Sequence, residues 1–226
     1  MRGVPTTLIV NADDLGYDPA VDRGILEAHA RGLVTAATVM VDTPFAERAV
    51  AGAPASLDLG LHAVVDPAAG LAAVEVALAR QLARFRALCG RAPTHLDSHK
   101  HAHLHPALLP AFAAAARREG IPLRALDSVV RASLRAEGVL TTDAFLGDAA
   151  LRPCWTRERL REALAAPPEG VVELMCHPGF TPTHARTSFG AEREVELRAL
   201  CEPTARAALA AAGVVLAGFA EAFRRS

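Results

Sequence analysis

Residues 93–106 read PTHLDSHKHAHLHP, and the course of the chain through them decides how the rest is organised. Five of the nine histidines, His95, His99, His101, His103 and His105, fall here together with Asp97. All six stand at odd numbers, so a single extended strand would project them from one face. A helix would instead pair His99 with His103 and His101 with His105 at i, i+4. Neither regular conformation fits the whole stretch. Pro106 suits a helix first turn, the Ala-rich run behind it continues the helix, and Gly120 is a natural stop. The stretch therefore predicts a strand ending near Asp97 to His99, a short polar loop, and a helix from about Pro106. Imidazoles at such a handover are placed like metal ligands or catalytic groups of an α/β barrel. A solvated, histidine-rich loop is the plainer alternative.

Outward from this element the same alternation recurs. TTLIV (6–10) is a short buried-strand pattern running into NADDLG, which puts Asp13 and Asp14 at a strand end. A helix is predicted over Asp18 to Arg31 with Gly32 as its cap, a strand over Leu33 to Val41, and a helix from about Pro44 to Ala51. LDLGLHAVVD is a third strand with His62 near its end, and Leu71 to Leu88 a long amphipathic helix. Past Gly120, IPLRA reads as a strand carrying Arg124, and VVELMCHPG, from Val171, as a buried strand with His177 at its exit. The C-terminal part reads as a helix over AEREVELRALCEPTARAALAAAG, a short strand VVLAGF and a terminal helix. Ser128 to Arg161 carries few strand signals and is mostly unassigned. Strand, polar residue, helix is the repeat of parallel crossovers, and it brings Asp13, Asp14, His62 and His177 to the same end of a sheet as the histidine cluster. Singly, each has an ordinary reading: a turn cap for the two aspartates, a satisfied core group for His62, a loop-amide acceptor for Asp97, an ion-pair partner for Arg124.

The 226 residues are long enough for one sizeable core, and without a linker, repeat or charge run the expectation is a single domain over 1–226. Hydrophobic residues make up 51% and charged residues 22%, ordinary for a globular protein. A formal net charge of -1 with dispersed Lys and Arg argues against nucleic acid or an anionic membrane as partner. The N-terminal apolar run is too short for a signal or a membrane span, so the cytoplasm is expected. Cys89, Cys154, Cys176 and Cys201 form no CxxC pair and read as free thiols. Cys176 and His177, adjacent on a strand, would point to opposite faces and are no nucleophile pair. With aromatics at 4%, a sugar platform would come from Tyr17, Trp155 or a few Phe. Monomer or homodimer is left open.

LIVNADDLGYDPAVDRGILEAHARGLVTAATVMV, DLGLH, PTHLDSHKHAHLHP and VELMCHPGF resemble, in order and wording, the motifs of the YdjC-like family of carbohydrate deacetylases, which includes chitooligosaccharide deacetylases and a hopanoid-biosynthesis branch. The likeness covers nearly the whole chain, to EREVELRAL near the C-terminus. It implies an α/β fold, a distorted (β/α) TIM-like barrel of the polysaccharide-deacetylase type, holding one divalent metal ion, Mg2+ or Zn2+. The implied activity is removal of an N-acetyl group from an amino sugar, and the low aromatic content and short segment after His62 predict a small one. Carried over, Asp14, His62 and His99 are the implied ligands, Asp13 the general base and His177 the acid. His103 completes an HxxxH spacing as a further ligand or substrate contact, and Arg124 and Asp97 are expected beside the substrate. The chain departs from its relatives between His62 and the Leu71 helix, where AVVDPAAG stands in place of a longer loop over the site.

Amide hydrolysis needs a nucleophile at neutral pH, and zinc lowers the pKa of a bound water to about 7. One carboxylate and two imidazoles suit several first-row metals; magnesium prefers oxygen ligands. General acid and base help is worth about 10²- to 10⁴-fold each. Two other functions compete. A non-catalytic metal-dependent sugar-binding protein on the same barrel would not need Asp13 and His177. A metal-dependent phosphoester hydrolase would need more carboxylates and a cationic clamp, for which only Lys100 and Arg124 are candidates.

Overall fold

A computed structural model describes the protein over residues 6–147 and 154–224. Parallel strands alternate with helices, as the apolar runs and polar punctuation require. Strand β1 (Thr7–Leu15) leads through α1 (Pro19–Arg31) to β2 (Ala36–Val39), then α2 (Ala46–Gly52), β3 (Asp58–Ala63), α3 (Leu71–Cys89) and β4 (Leu96–Ser98). After α4 (Leu109–Glu119) and α5 (Ser128–Ala136) come β5 (Ala144–Leu146), α6 (Arg157–Ala165) and β6 (Val171–Cys176). Helices α7 (Ala191–Leu200) and α8 (Ala205–Ala211), strand β7 (Val215–Leu216) and α9 (Phe219–Ala222) complete the chain. The sheet order is β4-β3-β2-β1-β6-β5, with β7 beside the start of β1, and every pairing is parallel. The curled sheet is a half-barrel, and parallel order aligns the C-terminal ends of all its strands on one rim. Among the described residues no helix is long and apolar enough to cross a membrane.

Local chemistry sets the helix ends. Asp18 caps α1 by accepting the Ala20 amide at 2.8 Å, with Pro19 in the first turn. Helices α3 and α4 stop at Gly90 and Gly120, whose φ of 66° and 67° suits glycine best. Leu8, Val10, Leu61, Leu96, Val172 and Leu174 of the strands pack with Ile25, Leu78, Leu82, Phe85 and Phe112 of the helices in the main core.

Four sequence expectations change. Strand β1 does not stop at Val10 but continues through Asn11-Ala12-Asp13-Asp14 to Leu15, because those polar side chains find buried partners inside the barrel instead of capping a turn. IPLRA forms no strand, only a bridge between Leu123 and Leu96, since Pro122 interrupts its amides. The long C-terminal helix is two helices, broken ahead of Pro203. Within the unassigned 128–161 lie α5, β5 and the start of α6.

Candidate active site

The histidine-rich stretch is a strand only over Leu96–Ser98, after which His99–Leu104 turns as a short 3-10 segment. Lys100 and His101 sit there at φ 54° and 53°, the left-handed region that non-glycine residues avoid. The bend splits the five histidines. His95 points into the barrel and stacks on Phe219 at 3.7 Å, His99 reaches the rim, His101 lines the rim cavity, His103 is buried, and His105 is exposed.

His99 meets ligand-type atoms from two other strand ends. Asp14, itself at φ 75°, projects Oδ1 to 3.3 Å from His99 Nδ1 and 3.4 Å from His62 Nε2. One atom from each of the three residues falls within 4.8 Å of the others. Asp14 Oδ1 is buried without a hydrogen-bond partner among the described residues, whereas Oδ2 accepts from Arg193 Nη2 at 2.6 Å. One free carboxylate oxygen between two imidazole nitrogens is the donor set of a divalent cation site, so the residues present fit such an ion. The His62 Nδ1–H donates to Asp97 Oδ1 at 2.7 Å, which fixes the ring with Nε2 turned to Asp14. Burial works against a charged His62, but the carboxylates of Asp97 and Asp13 outweigh it and push its pKa up to about 10. A cation at Nε2 would displace the proton that these carboxylates hold on His62.

Asp13 stands on the same rim and is clamped by Arg124, whose Nη1 and Nη2 donate to its two oxygens at 2.7 Å each. Although burial opposes ionisation, Arg124 holds this carboxyl far below the usual range. Across from it, His177 Nε2 is 3.9 Å from Asp13 Oδ2. Burial, aided by the charge of Arg193 and opposed by Asp13 and Asp14, brings His177 down to about 4. The His177 amide is anchored on Glu196, itself pushed by burial up to about 7.

These groups face a cavity of about 270 Å³ lined by Asp13, Asp14, His62, His99, His177, Tyr17 and Arg193, with Lys100, His101 and residues 186–189. A larger groove of about 570 Å³ between α6 and α8 is lined by Arg157, Glu158, Arg161 and Glu202 among apolar residues and by no histidine, whereas the cluster of Asp14, His62 and His99 faces the smaller cavity. Three expected substrate contacts lie elsewhere. Asp97 is fully buried behind His62, and Arg124 is spent on Asp13, Asp97 and Glu173. His103 is buried against Ser98 and Phe112. None of the three lines the cavity. Trp155 is also absent from the wall, with its ring N–H given to the Met175 carbonyl. Residues 63–70 do not reach the wall either. Gln81 pins their start by pairing both backbone groups of Val64.

The sequence reading missed Arg193 and the 183–189 loop. Asp18 holds that loop: its Oδ2 accepts the amides of Thr183, His184 and Ala185 while Oδ1 caps α1. The partner of Asp14 lies on α7, 179 residues away, and no local spacing signals it.

Comparison with known proteins agrees with this geometry. A family model described as YdjC-like protein matches residues 7–70 and 64–211. A chitooligosaccharide deacetylase of Serratia marcescens is 34% identical, covering 94% of this chain and 97% of its own length. A carbohydrate deacetylase of Geobacillus stearothermophilus is 34% identical, with coverages of 98% and 100%. A crystal structure from Enterococcus faecalis V583, of a protein provisionally described as a cellobiose-phosphate cleavage protein, is similar with a TM-score of 0.82 at 28% identity, over 96% of this chain and 98% of that one.

Proposed function

The chain belongs to the YdjC-like protein family, and from that premise we propose that it is a metal-dependent carbohydrate N-deacetylase acting on small N-acetylated amino sugars. The observation that carries the reading is the orphaned Asp14 Oδ1 facing His62 Nε2 and His99 Nδ1, with Asp13 and His177 beside them. Asp14, His62 and His99 are the proposed ligands. A divalent ion held there supplies Lewis acidity and makes water acidic enough to serve as a nucleophile near neutral pH.

The residues of the chain do the rest. Asp13, kept ionised by Arg124, accepts the proton of the attacking water. His177 stands neutral at neutral pH, so it takes over the proton that Asp13 received, 3.9 Å away, and gives it to the leaving amine nitrogen. Asp97 fixes the tautomer of His62, and Asp13, His99 and Tyr17 form the walls that orient the acetamido group. Arg124 is neutralised by three buried carboxylates and is no phosphate clamp, which weakens the phosphoester alternative. In this proposal the chain acts as one domain, in the cytoplasm.

The test is release of acetate and a primary amine from N-acetylglucosamine and diacetylchitobiose with added divalent metal, and its arrest by EDTA. Turnover confined to a phosphomonoester would sink the reading, and activity rising steadily with oligomer length would sink the preference for small sugars alone.

A further inference from the structure

Arg193 stands in the first turn of α7 and is only 2% exposed. Its guanidinium is held on three sides. Nε donates to the Phe189 carbonyl at 3.0 Å and Nη2 to Asp14 Oδ2 at 2.6 Å, while the rings of Tyr17 and Phe189 lie 5.8 and 5.9 Å from its carbon. Nη1 alone is buried with no hydrogen-bond partner among the described residues, although Arg193 is part of the cavity wall. A buried guanidinium nitrogen left unpaired calls for an explanation, because nearly all buried donors are satisfied.

The ion pair therefore has two orphaned atoms, one at each end. Asp14 Oδ1 is an acceptor and suits a cation. Arg193 Nη1 is a donor, which a cation would repel, and it suits an oxygen. The charge of Arg193 is already balanced by Asp14, so the remaining N–H matches a neutral, polarisable oxygen better than a second anion.

We propose that Arg193 is a catalytic residue of this site, whose Nη1–H donates a hydrogen bond to the acyl oxygen of the N-acetyl group while Nη2 orients Asp14. The assignment rests on the deacetylase reading. No proton leaves Arg193: its hydrogen bond strengthens as the acyl oxygen gains negative charge during attack at the carbonyl carbon and relaxes when the C–N bond breaks. Because the fork of Arg serves Asp14 and the substrate together, Lys is not an equivalent replacement.

The experiment uses Arg193→Lys and Arg193→Gln, each checked for native near-ultraviolet circular dichroism, with two readouts. In the first, N-acetylglucosamine labelled with ¹³C at the acetyl carbonyl is added to the metal-free protein. The wild type is expected to move the bound carbonyl resonance downfield, and neither variant should reproduce the shift. In the second, turnover of diacetylchitobiose is measured at saturating metal. Arg193→Lys should lose roughly 10²- to 10³-fold in kcat with KM within a few-fold of wild type. A carbonyl shift absent in the wild type, or equal in wild type and variants, overturns the proposal. So does a kcat of Arg193→Lys equal to that of the wild type at saturating metal, which would leave Arg193 as a positioning residue for Asp14 only. A shift lost in the variants with no acetate released by the wild type would instead overturn the deacetylase reading and leave the Arg193 contact standing.

Discussion

Two aspartates adjacent in sequence do opposite work because they face different partners. Asp14 leaves one oxygen free between two imidazoles, while Asp13 has both oxygens engaged by Arg124. Asp14→Ala is accordingly expected to strip bound metal, whereas Asp13→Asn should abolish turnover with metal content retained; equal metal loss in both, by elemental analysis, would mean that Asp13 is a ligand too. One layer below, Asp97→Asn removes the charge that holds the His62 Nδ1–H and leaves only an amide oxygen to accept from it. Metal affinity should then fall about 10- to 100-fold, readable by competition with a chelator, while the fold persists. Arg124→Met leaves Asp13, Asp97 and Glu173 buried without their counter-charge, and removing one partner of such a buried network destabilises by about 3–5 kcal/mol. A urea midpoint unchanged by Arg124→Met would show that the three carboxylates protonate and repack at little expense.

At the scale of elements, the cavity wall depends on a loop with no regular structure, fastened by Asp18 at the start of α1. Tyr17, one residue earlier, adds a second tie by donating its hydroxyl to the Arg186 carbonyl. Asp18→Ala loses an N-cap worth about 1 kcal/mol and three loop amides besides. The predicted result is a Tm lower by several degrees, at about 2–4 °C per kcal/mol for a chain of this size, together with a raised KM because residues 186–189 lose their seat. If KM is unaffected while Tm drops, the loop holds its shape without the α1 tie. The strained turn at Lys100 and His101 is a comparable device: it swings His99 away from the line of β4, toward Asp14.

Across the whole molecule the buried charges fix how stability follows pH. Burial raises Glu173 and Glu196 to about 7 each, so the unfolded chain releases these protons first as pH climbs from the ordinary carboxylate value near 4.5. Their contribution is complete below that value and is lost by the time pH passes about 7. His62, raised to about 10, acts in the same direction, since its contribution is complete below its ordinary pKa of 6.5 and is lost as pH rises through the folded value. Asp13 and Asp14, held low, lose their contributions only in stronger acid. His95, His101, His103 and His177, held low by burial, act the other way as pH rises toward their ordinary pKa of 6.5, so the sign is read on one group: relative to the wild type, Glu196→Gln should lose less stability between about pH 5 and about pH 8. Urea midpoints of both proteins in EDTA at the two values decide it: a pH dependence of Glu196→Gln equal to that of the wild type contradicts the sign.

The sequence by itself determined the alternation of strands and helices, the parallel sheet, and the arrival of Asp13, Asp14, His62, His99 and His177 on one rim. Those features are local: period-2 and period-3.6 patterns, caps, and polar residues directly following apolar runs carry them within a few positions. The extra length of β1, the split fates of the five histidines, and the retreat of Asp97, Arg124 and His103 beneath the cavity floor were settled by tertiary structure. So was the recruitment of Arg193 to Asp14 across 179 residues. Alternation tells which residues share a face of a strand, but how deep each lies under the rim depends on barrel curvature, on the turn at Lys100 and His101, and on which distant side chain satisfies each buried charge. None of these is encoded in spacing along the chain.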